Sequence, residues 1–296
     1  MDKISFYEQI SKNKRNSIFL TIVVAAILLG LFYVIALLYN PSMVYIFLIF
    51  GSIVTLGHIL ISYNVGDKII LKAMNAVPAD EVKHRYIIDT VDGLSIAAGL
   101  PKPKVYIVDS KEINAFATGK DPKHASIALT TGAIEKLKRD EIEGVIGHEI
   151  SHIANYDIRF ATLVAALVGM IAIISYMILR SWRFSGSSRE NRGGIVWLIA
   201  IGLILAIFAP IVSRIVQAAI SRKREFMADA NSAKLTRYPD GLANALEKIK
   251  KFNEGRMQVS ESISHLFFTD PNKSPLDHLF ATHPDIDKRI EILRKM

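Results

Sequence analysis

The sequence predicts a membrane-anchored α+β protein, mainly α with a small β-sheet, whose water-soluble part is interrupted by apolar hairpins. Two observations carry that expectation. The 296 residues hold 36 Lys+Arg and 28 Asp+Glu, yet none falls within Asn16–Gly66, Phe160–Leu179 or Gly193–Ser213. Outside those gaps the composition is that of an ordinary solvated domain, which excludes both an all-membrane transporter and a wholly soluble enzyme. Four transmembrane helices, at about 17–39, 43–63, 160–179 and 194–214, follow from the length needed to cross about 30 Å of hydrocarbon.

The elements follow in order. Residues 1–66 form an N-terminal tail and a first hairpin, turned at Asn40-Pro41-Ser42. Its first apolar run is too long for a cleaved signal segment. Lys12, Lys14 and Arg15 precede the hairpin, and by the positive-inside rule both its ends are cytoplasmic. Residues 67–157 then form a cytoplasmic part. Ile87, Val91, Leu94 and Ala98 at i, i+4, i+7 and i+11 predict a helix near Asp80–Gly99, stopped by Gly99 and Pro101. Val105–Val108 and Ile127–Thr130 read as short strands, and Ala133–Ala154 as one or two helices.

Residues 158–220 form a second hairpin. Its loop carries Arg180, Arg183, Arg189 and Arg192 against a single acid, Glu190, so an outside loop conflicts with the positive-inside rule. A shallow hairpin that never fully crosses is the alternative, and either returns Arg222 to the side of residues 67–157. Residues 221–296 complete the cytoplasmic part, with helices over Asp240–Phe252 and Asp285–Lys295 and a loop over Ser260–Thr282.

The chain has no cysteine, so disulfides, a thiolate nucleophile, Cys-ligated zinc and iron–sulfur clusters are excluded. Any metal must be held by His and carboxylates. The net charge of +8 accompanies no basic, aromatic-interleaved groove motif, so no nucleic-acid partner is expected. Attraction to anionic headgroups of a lipid bilayer accounts for it.

The chemistry is concentrated in His148-Glu149-Ile150-Ser151-His152. On a helix, i and i+4 share a face, so two imidazoles can reach one ion, while Glu149 can take a proton from a water there. Ile142, Val145, Ile146, Ile150 and Ile153 form the apolar stripe of that helix, and the three polar residues lie mostly off it. Glu225 can complete a His₂Glu set, or can instead pair with Arg222 or Arg224 on a solvated helix end. Asp229, four residues on, can accept the Nδ1–H of a ligand histidine.

Together His148–Asn155, Asn114–Gly119, Ser221–Asp229 and Thr282-His283-Pro284 resemble the HtpX family, bacterial membrane zinc endopeptidases related to prenyl-protein (CAAX) proteases. The resemblance extends over nearly the whole chain. It implies a zincin-like metalloprotease domain facing the cytoplasm from the inner membrane, holding one Zn²⁺ through His148, His152 and Glu225 with Glu149 as base. The substrates it implies are misfolded or membrane proteins in protein quality control. Oligomeric state is left open.

Weaker expectations remain. Ile127–Thr130 is either an edge strand that a peptide substrate pairs with or a plain core strand. Asn114 either lines the cleft or sits in an ordinary turn. His283 either stabilises an oxyanion or is a loop histidine before a Pro-started helix. His58, in the second apolar run, is either functional or neutral and bonded to a neighbouring helix. Both ligand stretches start close to apolar runs, so cleavage is expected near the bilayer surface. A hydrolysis-free zinc scaffold and a transporter are the rivals from other classes: the base at Glu149 argues against the first, and the absence of charges within the runs against the second.

Overall fold

The computed structural model describes residues 6–166, 222–255, 257, 259–272 and 284–296. Helices α1 (Phe6–Tyr39) and α2 (Val44–Ala73) pair through the short 3₁₀ turn Pro41–Met43, where the Asn40 side chain accepts the Ser42 N–H at 3.0 Å. Phe32 and Phe50 meet edge to face across the pair, 6.0 Å between centroids. The stretch Pro41–Ala73 is the one helix among the described residues long and apolar enough to cross a membrane, by length and composition. Four spans were expected; of the second hairpin, residues 158–220, only residues 158–166 are among the described residues. His58 is buried in α2, on a stripe with Gly51, Thr55, Ser62 and Gly66.

Helix α2 does not stop near Tyr63. It continues to Ala73, and Ile70 and Leu71 enter a core with Val108, Phe116, Ala128 and Ala165. The charges Asp67, Lys68 and Lys72 that suggested an end instead alternate with these buried positions along a continuous helix.

The sheet has four strands, β1 (Val77–Pro78), β2 (Lys104–Val108), β3 (Ala115–Thr118) and β4 (Ser126–Thr130), in the order β1-β2-β4-β3. Strand β4 runs parallel to β2, with Ile127 opposite Val105, and antiparallel to β3, with Ala128 opposite Phe116. So Ile127–Thr130 is a central strand, which removes the expectation that it offers an edge to substrate. Its continuous apolar character has a physical cause: Ile127 and Leu129 face one core and Ala128 the other, so both faces are dry. The edge beside β4 is β3, and segment 266–268 lies against it, with a bridge between Phe116 and Phe267 and the Phe268 N–H donating to the Ala115 carbonyl at 2.8 Å.

Helix α3 (Arg85–Ala97) starts later than Asp80 because the Asp80 carboxylate accepts the Val82 and Lys83 N–H groups in a preceding turn. It ends as expected before Gly99, which takes φ +68°. Ala133–Ala154 resolves into two helices, α4 (Thr131–Lys136) and α5 (Arg139–Ala154), because Leu137 and Lys138 are extended. After α5, residues 157–166 are helical again. Thr162 Oγ1 there accepts the Gly119 N–H at 2.9 Å and lies 2.9 Å from Thr118 Oγ1, fastening this segment to the end of β3. Helices α6 (Arg222–Thr236) and α7 (Pro239–Phe252) pack against α5, and α8 (Ile286–Leu293) packs on α7 and α6.

The packing is tight because α5 carries glycines where neighbours approach. A Cβ on Gly144 would sit 2.7 Å from the backbone nitrogen of Leu242 in α7, and one on Gly147 2.8 Å from the Ser232 hydroxyl in α6. Gly144→Ala must therefore push α7 away, and overpacking of this kind destabilises by about 1–3 kcal/mol. The expected outcome is a melting temperature several degrees below that of the unaltered protein. An unchanged melting temperature would show that the α5–α7 contact relaxes freely.

Candidate active site

Helix α5 is anchored at its start by Glu141, whose Oε2 accepts the Lys138 N–H at 2.6 Å and the Lys248 ammonium at 2.6 Å. This satisfies an N-terminal donor and places acid at the positive end of the helix dipole. The apolar stripe from Ile142 to Ile153 is buried as expected, but His148 and Glu149 on the other side are buried as well, at 0% and 2% exposed. The polar side is not a solvent face, because α6 covers it. Ser232 donates to the Gly144 carbonyl at 2.6 Å and Asn231 to the Ser151 hydroxyl at 3.0 Å.

That clasp brings Glu225 to the two histidines. His148 Nε2 and His152 Nε2 are 3.0 Å apart, and Glu225 Oε2 and Oε1 lie 3.5 and 3.6 Å from them respectively. The three residues form a cluster that could hold a metal ion, each offering one ligand atom within 4.8 Å of the others. For zinc–ligand bonds of about 2.0–2.1 Å, the edges of a tetrahedron are about 3.3 Å. The donor separations bracket that value, so the residues present fit a zinc-sized ion.

Each ligand-type imidazole is backed by a carboxylate on its other nitrogen, and each carboxylate by an arginine. His148 Nδ1 lies 2.9 Å from Asp229 Oδ1, and Arg289 donates to both Asp229 oxygens at 2.7 and 2.9 Å. His152 Nδ1 lies 3.1 Å from Asp157 Oδ2, and Arg224 reaches Asp157 Oδ1 at 3.5 Å. Both Nδ1 atoms thus face a carboxylate and both Nε2 atoms face Glu225. Asp157 is turned back toward His152 by Tyr156, whose φ of 59° is left-handed.

The electrostatics are those of a surplus of negative charge. Burial pushes the Glu149 carboxyl above the ordinary carboxylate value, the two histidines oppose this, and Glu225 adds to it. Burial pulls His152 down, but the hydrogen bond to Asp157 and the charges of Glu225, Asp157 and Glu149 outweigh it and push the imidazole up to about 9. Arg224, the partner weighed for Glu225, lies 3.5 Å from Asp157 Oδ1. Glu149, His152, Glu225 and Ala117 line a pocket of about 40 Å³, room for a few waters at about 10–15 Å³ each.

The other expected contacts stand apart. Asn114 is 1% exposed and bonded to the 268–269 segment rather than left in a free turn. Its amide donates to the Thr269 carbonyl at 3.0 Å and its Oδ1 accepts the Thr269 N–H at 3.2 Å, which ties the 268–269 segment to β3. His283 lies outside the described residues. Asp157, Arg224, Arg289 and the pocket-lining His265 were not singled out by spacing. The i+5 relation of Asp157 to His152 is the only local signal among them, and it needs the left-handed residue between them.

The chain is similar to known peptidases. The model of Peptidase family M48 matches residues 81–296. A protein described as "Protease HtpX homolog" from Caldanaerobacter subterraneus subsp. tengcongensis is 42% identical, the match covering all of this chain and 99% of that protein. Proteins of the same description from Dictyoglomus thermophilum (40% identical, 100% and 96% covered) and Streptococcus uberis (41%, 98% and 99%) are similar over the same extent. The crystal structure of S. mikatae Ste24p overlays with a TM-score of 0.49 at 20% identity, covering 96% of this chain and 67% of that one. With a family match over most of its length and relatives aligned end to end, the chain belongs to peptidase family M48.

Proposed function

We propose that this metallopeptidase is a zinc-dependent endopeptidase held in the inner membrane, which cuts misfolded or membrane proteins at the cytoplasmic face. The observation that carries the reading is the meeting of His148, His152 and Glu225 at the edge lengths of a zinc tetrahedron, with Glu149 buried beside them. Family membership supports the peptidase chemistry, and the apolar length of Pro41–Ala73 supports the bilayer.

Bound at these three residues, zinc supplies Lewis-acid polarisation of the peptide carbonyl and lowers the pKa of a water toward about 7. The chain's own residues do the rest. Glu149 accepts the proton of the attacking water and returns it to the leaving amine nitrogen. Its raised pKa suits that task, because a carboxylate in water is too weak a base to hold a proton near neutrality. Asp229 and Asp157 hold the two imidazoles in the tautomer that presents Nε2. The dry walls around the pocket, Phe160, Leu266 and Phe267 among them, strengthen these interactions by lowering the local dielectric.

Three outcomes test this. Glu149→Gln should keep one zinc per chain and lose nearly all cleavage of an unfolded protein, whereas His148→Ala or His152→Ala should lose the zinc too. Metal analysis beside a chelator-reversible cleavage assay reads both, and normal turnover by the glutamine variant would remove Glu149 as base. Second, a cation binding to Nε2 must displace the proton that His152 keeps up to about pH 9. Zinc affinity should thus rise as pH increases from about 6.5 toward 9, with about one proton released per ion. Calorimetry in buffers of different ionisation enthalpy counts the proton, and a count of zero would mean the imidazole is already neutral. Third, a fixed cleavable sequence moved stepwise away from a membrane anchor should be cut progressively less, while equal cutting at every distance would contradict action at the bilayer surface.

A further inference from the structure

We propose that Arg289 is a positioning residue for the metal centre: acting through Asp229, it fixes the orientation of His148 and makes ion affinity depend on docking of the C-terminal helix α8. The inference rests on the reading of His148, His152 and Glu225 as a zinc site.

Arg289 is 1% exposed and heads the largest fully buried side chains among the described residues. Its Nε and Nη2 donate to Asp229 Oδ2 and Oδ1 at 2.9 and 2.7 Å, the two-pronged arrangement that fixes the plane of a carboxylate as well as its position. The same Oδ1 lies 2.9 Å from His148 Nδ1. The guanidinium also lies over the Phe268 ring, 4.7 Å from its centroid, and that ring meets the His148 imidazole edge to face at 4.8 Å. Nη1 reaches the Phe268 carbonyl at 3.5 Å. Two of the groups against His148, a carboxylate and an aromatic ring, are therefore themselves held by Arg289.

Stability alone is a weak reason to bury such a pair, since replacing a buried ion pair by well-packed apolar groups is often neutral or stabilising. Orientation of a ligand imidazole is a strong one, because the outer partner of a ligating histidine is worth about 10–100-fold in metal affinity. Arg289 sits on α8, and the other side-chain bonds described for that helix and its C-terminal end are at the surface: Lys250 to Asp287 at 2.6 Å, Lys295 to Glu291, and Arg294 to Asp240, to Asn244 and to Glu247. It is thus the one residue through which α8 reaches the two imidazoles among the contacts described.

The experiment measures zinc affinity of the detergent-purified full chain by competition with a chelating dye, alongside its melting temperature. Arg289→Met should weaken zinc binding about 10–100-fold. Arg289→Lys, which keeps the charge and loses the fork, should weaken it by a smaller factor, and it carries the test if the methionine variant does not accumulate folded. Adding Arg289→Met to Asp229→Asn should cause little further loss, because both act along one path. Arg294→Ala, which removes surface bonds of the same helix, should lower the melting temperature and leave zinc affinity unchanged. Wild-type affinity in both Arg289 variants overturns the proposal, and so does an equal loss in Arg294→Ala, which would reduce Arg289 to a docking contact. Failure of the unaltered chain to take up zinc would overturn the metal-centre reading itself, and this inference with it.

Discussion

The centre depends on the close approach of α6 to α5. Two imidazoles and a carboxylate meet inside apolar surroundings only if two helices lie nearly in backbone contact, and the sequence provides this with Gly147 on one side and Ser232 on the other. The Ser232 hydroxyl, which reaches the Gly144 carbonyl, sets the register of that contact. Sliding α6 by one residue would rotate Glu225 by about 100° off the line to the histidines. Packing of small residues thus determines a charged geometry.

Burying those charges is costly unless each is answered. Four carboxylates surround the two histidines: Glu149, Glu225, Asp157 and Asp229. Asp157 and Asp229 are answered on their far sides by Arg224 and Arg289, whereas Glu149 and Glu225 lean on the imidazoles. The outer pair faces arginines and the inner pair faces the ring nitrogens, which gathers carboxylate oxygens at one point. A divalent cation is the simplest group that neutralises them.

Much of this was legible in the sequence, and the gaps have physical reasons. The His148–His152 pair and the Glu225–Asp229 pair are local helical spacings, so residue type and period suffice to read them. Helices α3, α7 and α8 declare themselves by apolar period and by stops such as Gly99. Ile127–Thr130 reads as a strand, but its place at the centre of the sheet depends on pairing with residues 104–108 and 115–118, which no local pattern encodes. Ala115–Thr118 was hidden by flanking Asn114 and Gly119, both turn-formers, although Asn114 in fact ties the edge strand to Thr269. Arg289 lies 60 residues from the carboxylate it grips, and an arginine in an amphipathic helix looks like any solvated charge. The end of α2 escapes a local reading because Asp67, Lys68 and Lys72 signal water, while Ile70 and Leu71 between them belong to a core.

That last feature has mechanical meaning. Helix α2 rises about 45 Å over its 30 residues, against the about 30 Å of a hydrocarbon core. Its final turns are built into the sheet that carries β3 and β4, with no linker between. A tether would let the reaction centre swing and sample any height, but a strut does not. In a bilayer the cutting point would keep one elevation, and tilting the span in response to lipid thickness would tilt the sheet with it.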